Sequence, residues 1–352
     1  MTDEGEQPRA AKRARSGGTR GPGIADVARH AGVSMMSVSR VLNDKPGVGA
    51  EARGRVLEAM RELGFQPNSL ARALRTGRPT TIGVVCLDTT LYGPAVTLFG
   101  VEHAARAAGY AVNVVSLSSI TEQALAEAFV QLRAAPVAAV VIISPMSTSA
   151  DALRDLPTDL PVVAIWAPSD VGISVAGVDH GKAAAAATDH LLSLGHRNVW
   201  HISGPPGWTG AEQRIQGWRD ALLRVGLMPP EPIAGDWTAR SGYEAGKRLL
   251  ADPEVTAVFV ANDQMALGLL HAARELGVEI PAQVSVVGYD DGPDSEFYAP
   301  PLTTIRQDFS ALGAHAFRMA MEKLGGEPAI EENGPVSTEL VLRETTGPAV
   351  RR

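Results

Sequence analysis

The sequence predicts an α/β protein in two unlike parts: a small three-helix head and a larger core of two doubly wound parallel sheets. Three observations carry this. The apolar period is helical through about residue 66, then changes after Thr81 to short β-branched runs alternating with helical stretches. With 352 residues the chain is too long for one ordinary core. Charge is also divided: residues 1–80 hold 14 Lys/Arg against 8 Asp/Glu, and the other 272 hold 18 against 31. A basic head on an acidic body suits a protein that grips phosphates at one end, although a solubilising basic tail would contribute the same sign.

Residues 1–20 are rich in Gly, Arg and Ala without periodicity and read as a disordered basic tail. The head spans 21–66. Ile24, Val27, Ala28 and Ala31 repeat at helical spacing, and Gly32 stops them. Ser34 can cap a second helix whose Val38, Val41 and Leu42 face inward. Arg53, Val56, Leu57, Met60 and Leu63 mark a third, ending before Gly64. A short turn at Gly32-Val33 makes the first pair a helix-turn-helix. Residues 67–79 form a hinge helix and linker, opened by Pro67 and closed by Gly77 and Pro79. Such a helix is too short to persist alone in water.

From residue 80 to 346, "TIGVVCL", "AVNVVSL", "AAVVIIS", "PVVAIW", "NVWHIS", "AVFVAN" and "VSVVGYD" read as strands buried on both faces. Helical stretches near 96–108, 121–133, 181–194, 212–225 and 264–276 separate most of them. Two such halves leave a central cleft at the strand ends, where ligands usually sit. Residues 347–352 read as a tail.

Several classes are excluded. No apolar run is long enough to span a bilayer, and the charged N-terminus lacks the apolar centre of a secretory signal. A single cysteine, Cys86, rules out a disulfide framework and fits a reducing cytoplasm, with the nucleoid as the expected place of work. No phosphate-cradling or dinucleotide loop follows a strand; "GPPGWTG" lacks the Lys-Ser/Thr ending. Asp179-His180 and Asp290-Asp291 are the nearest thing to acid–base pairs. Adjacent carboxylates cannot flank a scissile bond from opposite sides, and no nucleophile elbow or metal cluster accompanies them. An enzyme is therefore not expected, nor a metal or cofactor.

The segments "IADVARHAGVSMMSVSRVLN", "LGFQPNSLARALRTGR", "TIGVV", "GDWTARSGY", "VANDQMALG", "VSVVGYDDGPDSEFYAPPLTTIRQDF" and "PVSTELVLRETT" follow one another in order. From Ile24 to Thr346 the chain thereby resembles the lactose-repressor family of bacterial transcription regulators. The resemblance implies a DNA-reading head, a hinge helix and a sugar-sensing core shaped like a periplasmic binding protein. It places an N-lobe at about 80–178 and 309–336, and a C-lobe at about 179–308 and 337–346. It also implies a homodimer on near-palindromic double-stranded operator DNA, since one recognition helix covers only a half-site. The leucine heptads by which some members form tetramers would lie beyond the core, and with the chain ending at Arg352 a dimer is expected.

By the same resemblance the second helix lies in the major groove, and Met35, Met36 and Arg40 reach base edges, with Asn43 beside them. Arg40 can pair with guanine through two hydrogen bonds. Thioethers cannot donate to bases; they pack on thymine methyls or fill space. The alternative for Met35 is partial tucking against the helical core. Ser34, Ser37 and Ser39 suit phosphates, which position the head rather than specify sequence. Gly23 and Gly49 stand where the family usually has hydroxyl residues. In the hinge, Leu74 is the implied minor-groove wedge, with Asn68, Ser69, Ala71 and Arg72 alongside.

For the effector the resemblance implies Arg214, Asn262 and Asp290 on sugar hydroxyls and Trp237 under the apolar sugar face, with Gln307 and Phe309 completing the wall. In the N-lobe it implies Leu91, with Leu87 and Thr97, and places Ser147 where a charged acceptor would be expected. That loss leaves β-glucosides and β-galactosides as alternatives. The expected function is a repressor of sugar-utilisation genes, released by a β-linked sugar. The competing reading is a soluble sugar-binding protein or sugar-processing enzyme with the same core, which the basic helical head disfavours.

Overall fold

The computed structural model describes residues 22–42, 45–65, 79–87, 89–119, 121–146, 150–154, 156, 160–168, 171–325 and 334–350. It has two compact units, parting at Gly77 and Arg78.

In the first unit, α1 (Ile24–Ala31), α2 (Met35–Leu42) and α3 (Ala50–Glu62) close over Val27, Val38 and Val56, all fully buried. Ala28, Ala31, Val41 and Ala59 complete this small core, and Leu42, Met60 and Leu63 pack at its margin. Leu57 is an exception to the expected pattern: it is exposed, because the buried stripe of α3 runs through Val56 and Ala59 instead. Gly32 ends α1 at φ 63°, a left-handed position that only glycine adopts freely. Ser34 Oγ then accepts the Ser37 N–H at 3.1 Å, capping α2. Gly23 and Gly49 give α1 and α3 no side-chain cap, but Asp26 Oδ2 accepts the Gly23 N–H at 2.9 Å and partly compensates. Ser34→Ala should destabilise the head by about 1 kcal/mol, seen as an earlier melting transition of that unit in calorimetry. An unchanged transition would show the cap to be dispensable.

The second unit alternates strand and helix in two sheets. The first is built from β1 (Thr81–Leu87), α4 (Tyr92–Ala107), β2 (Ala111–Leu117), α5 (Glu122–Ala134), β3 (Ala139–Ile143), α6 (Ala150–Arg154), β4 (Val162–Ile165) and β5 (Ser174–Ala176). Its strand order is β2-β1-β3-β4-β5, parallel throughout. α7 (His180–Ser193), β6 (Val199–Ser203), α8 (Thr209–Arg224), β7 (Ile233–Ala234), α9 (Ala239–Leu249), β8 (Ala257–Val260), α10 (Asp263–Leu276), β9 (Ser285–Asp290) and β10 (Thr303–Gln307) follow. The chain then runs through α11 (Phe309–Gly325) to β11 (Thr338–Val341). The second sheet is ordered β11-β10-β9-β8-β6-β7, with only β11 antiparallel.

All seven strands expected from apolar runs form. β5, β7, β10 and β11 were not legible, being short, polar as in "TTIRQ", or at a sheet edge. The run "AVNVVSL" differs from expectation: as β2 it is an edge strand, half-exposed rather than buried on both faces. α4 begins four residues before the expected 96, and Pro94 sits in its first turn, where an N–H has no helical partner to lose.

Each sheet is covered on both faces. α11 packs Leu312, Ala316 and Ala320 with Val84, Val141 and Val163 of the first sheet. It crosses α4 closely at two glycines: a Cβ on Gly100 would lie 2.3 Å from Ser310 O, and one on Gly313 would lie 2.2 Å from Thr97 O. Thr97 is consequently buried between two helices and not in the cleft wall, and Leu87 belongs to the core under β1. Among the described residues no helix is long and apolar enough to cross a membrane.

Candidate functional site

The head presents one chemically mixed face. Val38 and Val41 bury one side of α2, which leaves Ser34, Met35, Met36 and Arg40 exposed on the other, with Ser37 and Ser39 partly so. Met35 is 60% and Met36 65% exposed, so Met35 does not tuck into the helical core. A Cβ at Gly47 would stand 3.2 Å from Arg40 Nη1, so in this head the guanidinium folds back over the following turn. Asn43 and the hinge positions Asn68, Ser69, Ala71, Arg72 and Leu74 lie outside the described residues.

In the second unit, strand ends and helix starts converge on a cavity of about 360 Å³. That size suits a small ligand. Leu91, Arg214, Trp237, Asn262, Asp290 and Phe309, six of the expected residues, line it together. Gln307 stands behind the wall, donating from Nε2 to Asp290 Oδ1 at 2.7 Å. Ser147 lies outside the described residues.

The cavity is walled by rings. Phe309 meets Tyr92 edge-on at 5.6 Å and Trp166 at 5.9 Å; across from them Trp208 and Trp237 pack at 5.4 Å and 67°. Tyr92, Trp166 and Trp208 escaped the sequence reading, because a loop or helix-start aromatic has no periodic signature. Their only signal was that each follows or precedes a strand–helix junction. Backbone strain gathers here too. The non-glycine residues at positive φ among those described are Trp166, Trp237, Asp290 and Asp291, and the first three line the cavity. Such positions cost of order 1–3 kcal/mol each and persist where tertiary packing over-determines them. The Trp237 ring lies so close on Gly204 that a Cβ there would come within 2.0 Å of it.

Polar groups are few and tightly placed. The Arg214 guanidinium lies 4.0 Å from the Tyr289 ring centroid and 5.4 Å from that of Trp237, and its Nη1 donates to Ala261 O at 2.7 Å. Its Nε and the Trp237 Nε1 are buried with no protein acceptor. Asn262 caps α10 by accepting the Met265 N–H at 2.9 Å, while its Nδ2 donates to Trp237 O and Gln264 Oε1. It thus fixes the Trp237 backbone as well as facing the cavity.

Burial pushes the Asp290 carboxyl up to about 6, although Arg214 and Gln307 favour its charge. Its neighbour Asp263, buried and facing the Asp290 charge, is pushed up to about 8 against hydrogen bonds from Thr304 and Gly292. Both carboxyls are thus held above the usual range, Asp263 further than Asp290 because the Asp290 charge adds to its burial. Asp291 points elsewhere, ion-paired to Arg306 at 2.6 Å and Arg343 at 2.7 Å. His180 shares a 2.9 Å hydrogen bond with the Tyr289 hydroxyl, and burial plus the Arg214 charge hold its pKa well below the usual range. Asp179 accepts the Lys182 N–H at 2.8 Å as the cap of α7. Asp179 and Asp291 are thus engaged in a helix cap and in ion pairs, and of the two adjacent pairs only His180 and Asp290 face the cavity.

Residues 23–68 match the profile of the bacterial regulatory proteins of the lacI family, and residues 188–346 that of a periplasmic binding protein-like domain. The lactose operon repressor of Escherichia coli (strain K12) is 35% identical over 323 residues, 91% of this chain and 89% of that protein. A lac repressor dimer bound to operator and the anti-inducer ONPF superposes with a TM-score of 0.82 at 34% identity, covering 93% of this chain and 100% of that one. A complex of the transcriptional regulator CelR with cellobiose gives 0.66 at 29% identity, over 92% and 99% of the two chains. With the helix-turn-helix head, the two parallel-sheet lobes and this likeness over nearly its whole length, the chain belongs to the lacI family of DNA-binding transcriptional repressors.

Proposed function

We propose that the chain binds a near-palindromic operator as a homodimer, represses sugar-utilisation genes, and is released by a β-linked sugar held in the cleft. The observation that carries the effector reading is the pairing of opposite needs in one wall. Arg214 Nε and Trp237 Nε1 are buried donors without acceptors, and Asp290 is a buried acceptor beside them. A sugar hydroxyl both donates and accepts, and the flat CH face of a pyranose matches the Trp237 ring. The relative solved with cellobiose, a β-linked disaccharide, and the one solved as a dimer on operator DNA support the same assignment.

Arg214 and Asp290 would hold hydroxyls, and Asn262, its amide hydrogens already engaged, would accept. In the head, Met35, Met36 and Arg40 would read bases, and Ser34, Ser37 and Ser39 would meet phosphates. The sugar acts by linkage: if it binds better to the DNA-free state, operator binding must weaken by the same factor. Calorimetry of the whole protein with β-glucosides and β-galactosides tests this directly. Absence of any carbohydrate binding would sink the effector reading and leave the DNA reading standing.

A pH dependence follows from Asp290. Protons compete with the sugar, because a hydroxyl donating to the carboxylate favours its charged form. The free cleft protonates near 6, so affinity should be full above that value and fall as pH drops through it. Titrations between pH 5 and pH 8 check this, and a flat profile would remove Asp290 as a hydroxyl acceptor.

A further inference from the structure

Trp208 has no assigned role, and three observations single it out. It occupies the N-cap of α8 yet makes no side-chain cap there, a place where Ser, Thr, Asp or Asn would stabilise the helix. A local preference is broken, which is expected where a site demands the residue. Its ring lines the cavity and meets Trp237 at 67°, with centroids 5.4 Å apart. Its backbone bridges to Met146 in antiparallel fashion, and the next residue donates Thr209 N–H to Pro145 O at 2.8 Å. The loop carrying Trp208 therefore ties the second-sheet lobe to the first-sheet lobe beside the cavity.

Two aromatic walls at a steep angle offer two apolar faces in different planes. One pyranose is flat and stacks on only one of them. Its hydroxyl rim, turned toward the other, would lose water without gaining partners, at a cost of kilocalories per group. A second ring joined through a glycosidic bond can turn out of the first plane and lay its own CH face on the remaining wall. Trp237 is pinned by Asn262 through its carbonyl and rests on Gly204, so its plane is fixed; Trp208 is pinned by the bridge to Met146.

We propose that Trp208 and Trp237 form a corner for two consecutive sugar rings. The effector is then a disaccharide, and Trp208 is the residue that selects it over a monosaccharide. This rests on the sugar reading above and deepens it.

The test is calorimetry of the intact protein with cellobiose and lactose against methyl β-D-glucoside and methyl β-D-galactoside. The wild-type protein should prefer one of the disaccharides to its methyl glycoside. Trp208→Ala should lower that preference by about tenfold, the worth of one good ring contact, while Trp208→Phe retains most of it. Melting curves of both variants establish that they are folded. A preference unchanged by Trp208→Ala, a parallel loss for both sugar sizes, or a wild-type protein indifferent to the second ring would overturn the corner while leaving the sugar reading intact. A wild-type protein that binds none of the four sugars would overturn both.

Discussion

Asp290→Asn should raise the sugar concentration needed for operator release by about 10- to 100-fold, the worth of a hydrogen bond to a buried charge. The carboxylate is buried at the end of β9, held at φ 113° and oriented by Gln307 at 2.7 Å. It cannot swing toward solvent to find other partners. An amide keeps the shape but can accept at only one atom, and its NH2 competes for the space of a donating hydroxyl. Operator release followed by fluorescence anisotropy over a sugar titration measures the shift, and the dependence on pH near 6 should vanish with it. A variant that responds at the wild-type sugar concentration would show that Asp290 is a structural partner of Gln307 and no more.

Arg40→Ala is the second large effect. It should weaken operator binding by about 10- to 100-fold and relax the sequence requirement at one base pair, since a bidentate contact to guanine is worth about 1–3 kcal/mol. Arg40 is the only basic residue of α2 and stands on its exposed face with Met35 and Met36. The two thioethers have no N–H or O–H to donate, so in the proposed complex Arg40 would carry the hydrogen-bonded base reading and the methionines would pack on thymine methyls. Binding measured across single-base operator variants and several salt concentrations separates the possibilities. A uniform loss over all sequences, with a salt slope reduced by about one, would identify Arg40 as a phosphate contact and remove it from base reading.

The two sites were legible to different degrees. In the head, Val27, Val38 and Val56 are a periodic record of one small core, and the exposure of the opposite face of α2 follows from them. Leu57 misleads because α3 offers two apolar neighbours in succession and only the packing against α1 chooses between them. In the cleft, Arg214, Trp237, Asn262, Asp290 and Phe309 were reached by resemblance, not by pattern. Periodicity placed each near an element boundary and could not bring them together. Thr97 shows the limit: it lies on the helix after β1, as expected of a cleft residue, but the Gly100–Gly313 crossing turns it into a helix–helix contact.

The sequence alone determined the class of fold, the two-part charge, the head's inward stripe and seven of the strands, because each of these is set by neighbours within a few residues. Tertiary structure decided the rest. Strand order brings Tyr92, Trp208 and Phe309 to one cavity from positions spread over more than two hundred residues of the chain, and burial there raises the carboxyls of Asp290 and its neighbour Asp263. The angle between Trp208 and Trp237 depends on a left-handed backbone at Trp237 and on the seam with Met146. No local preference encodes either one. Both exist only because packed elements hold the residues against their own tendencies, which is why the shape of the ligand corner is a property of the fold.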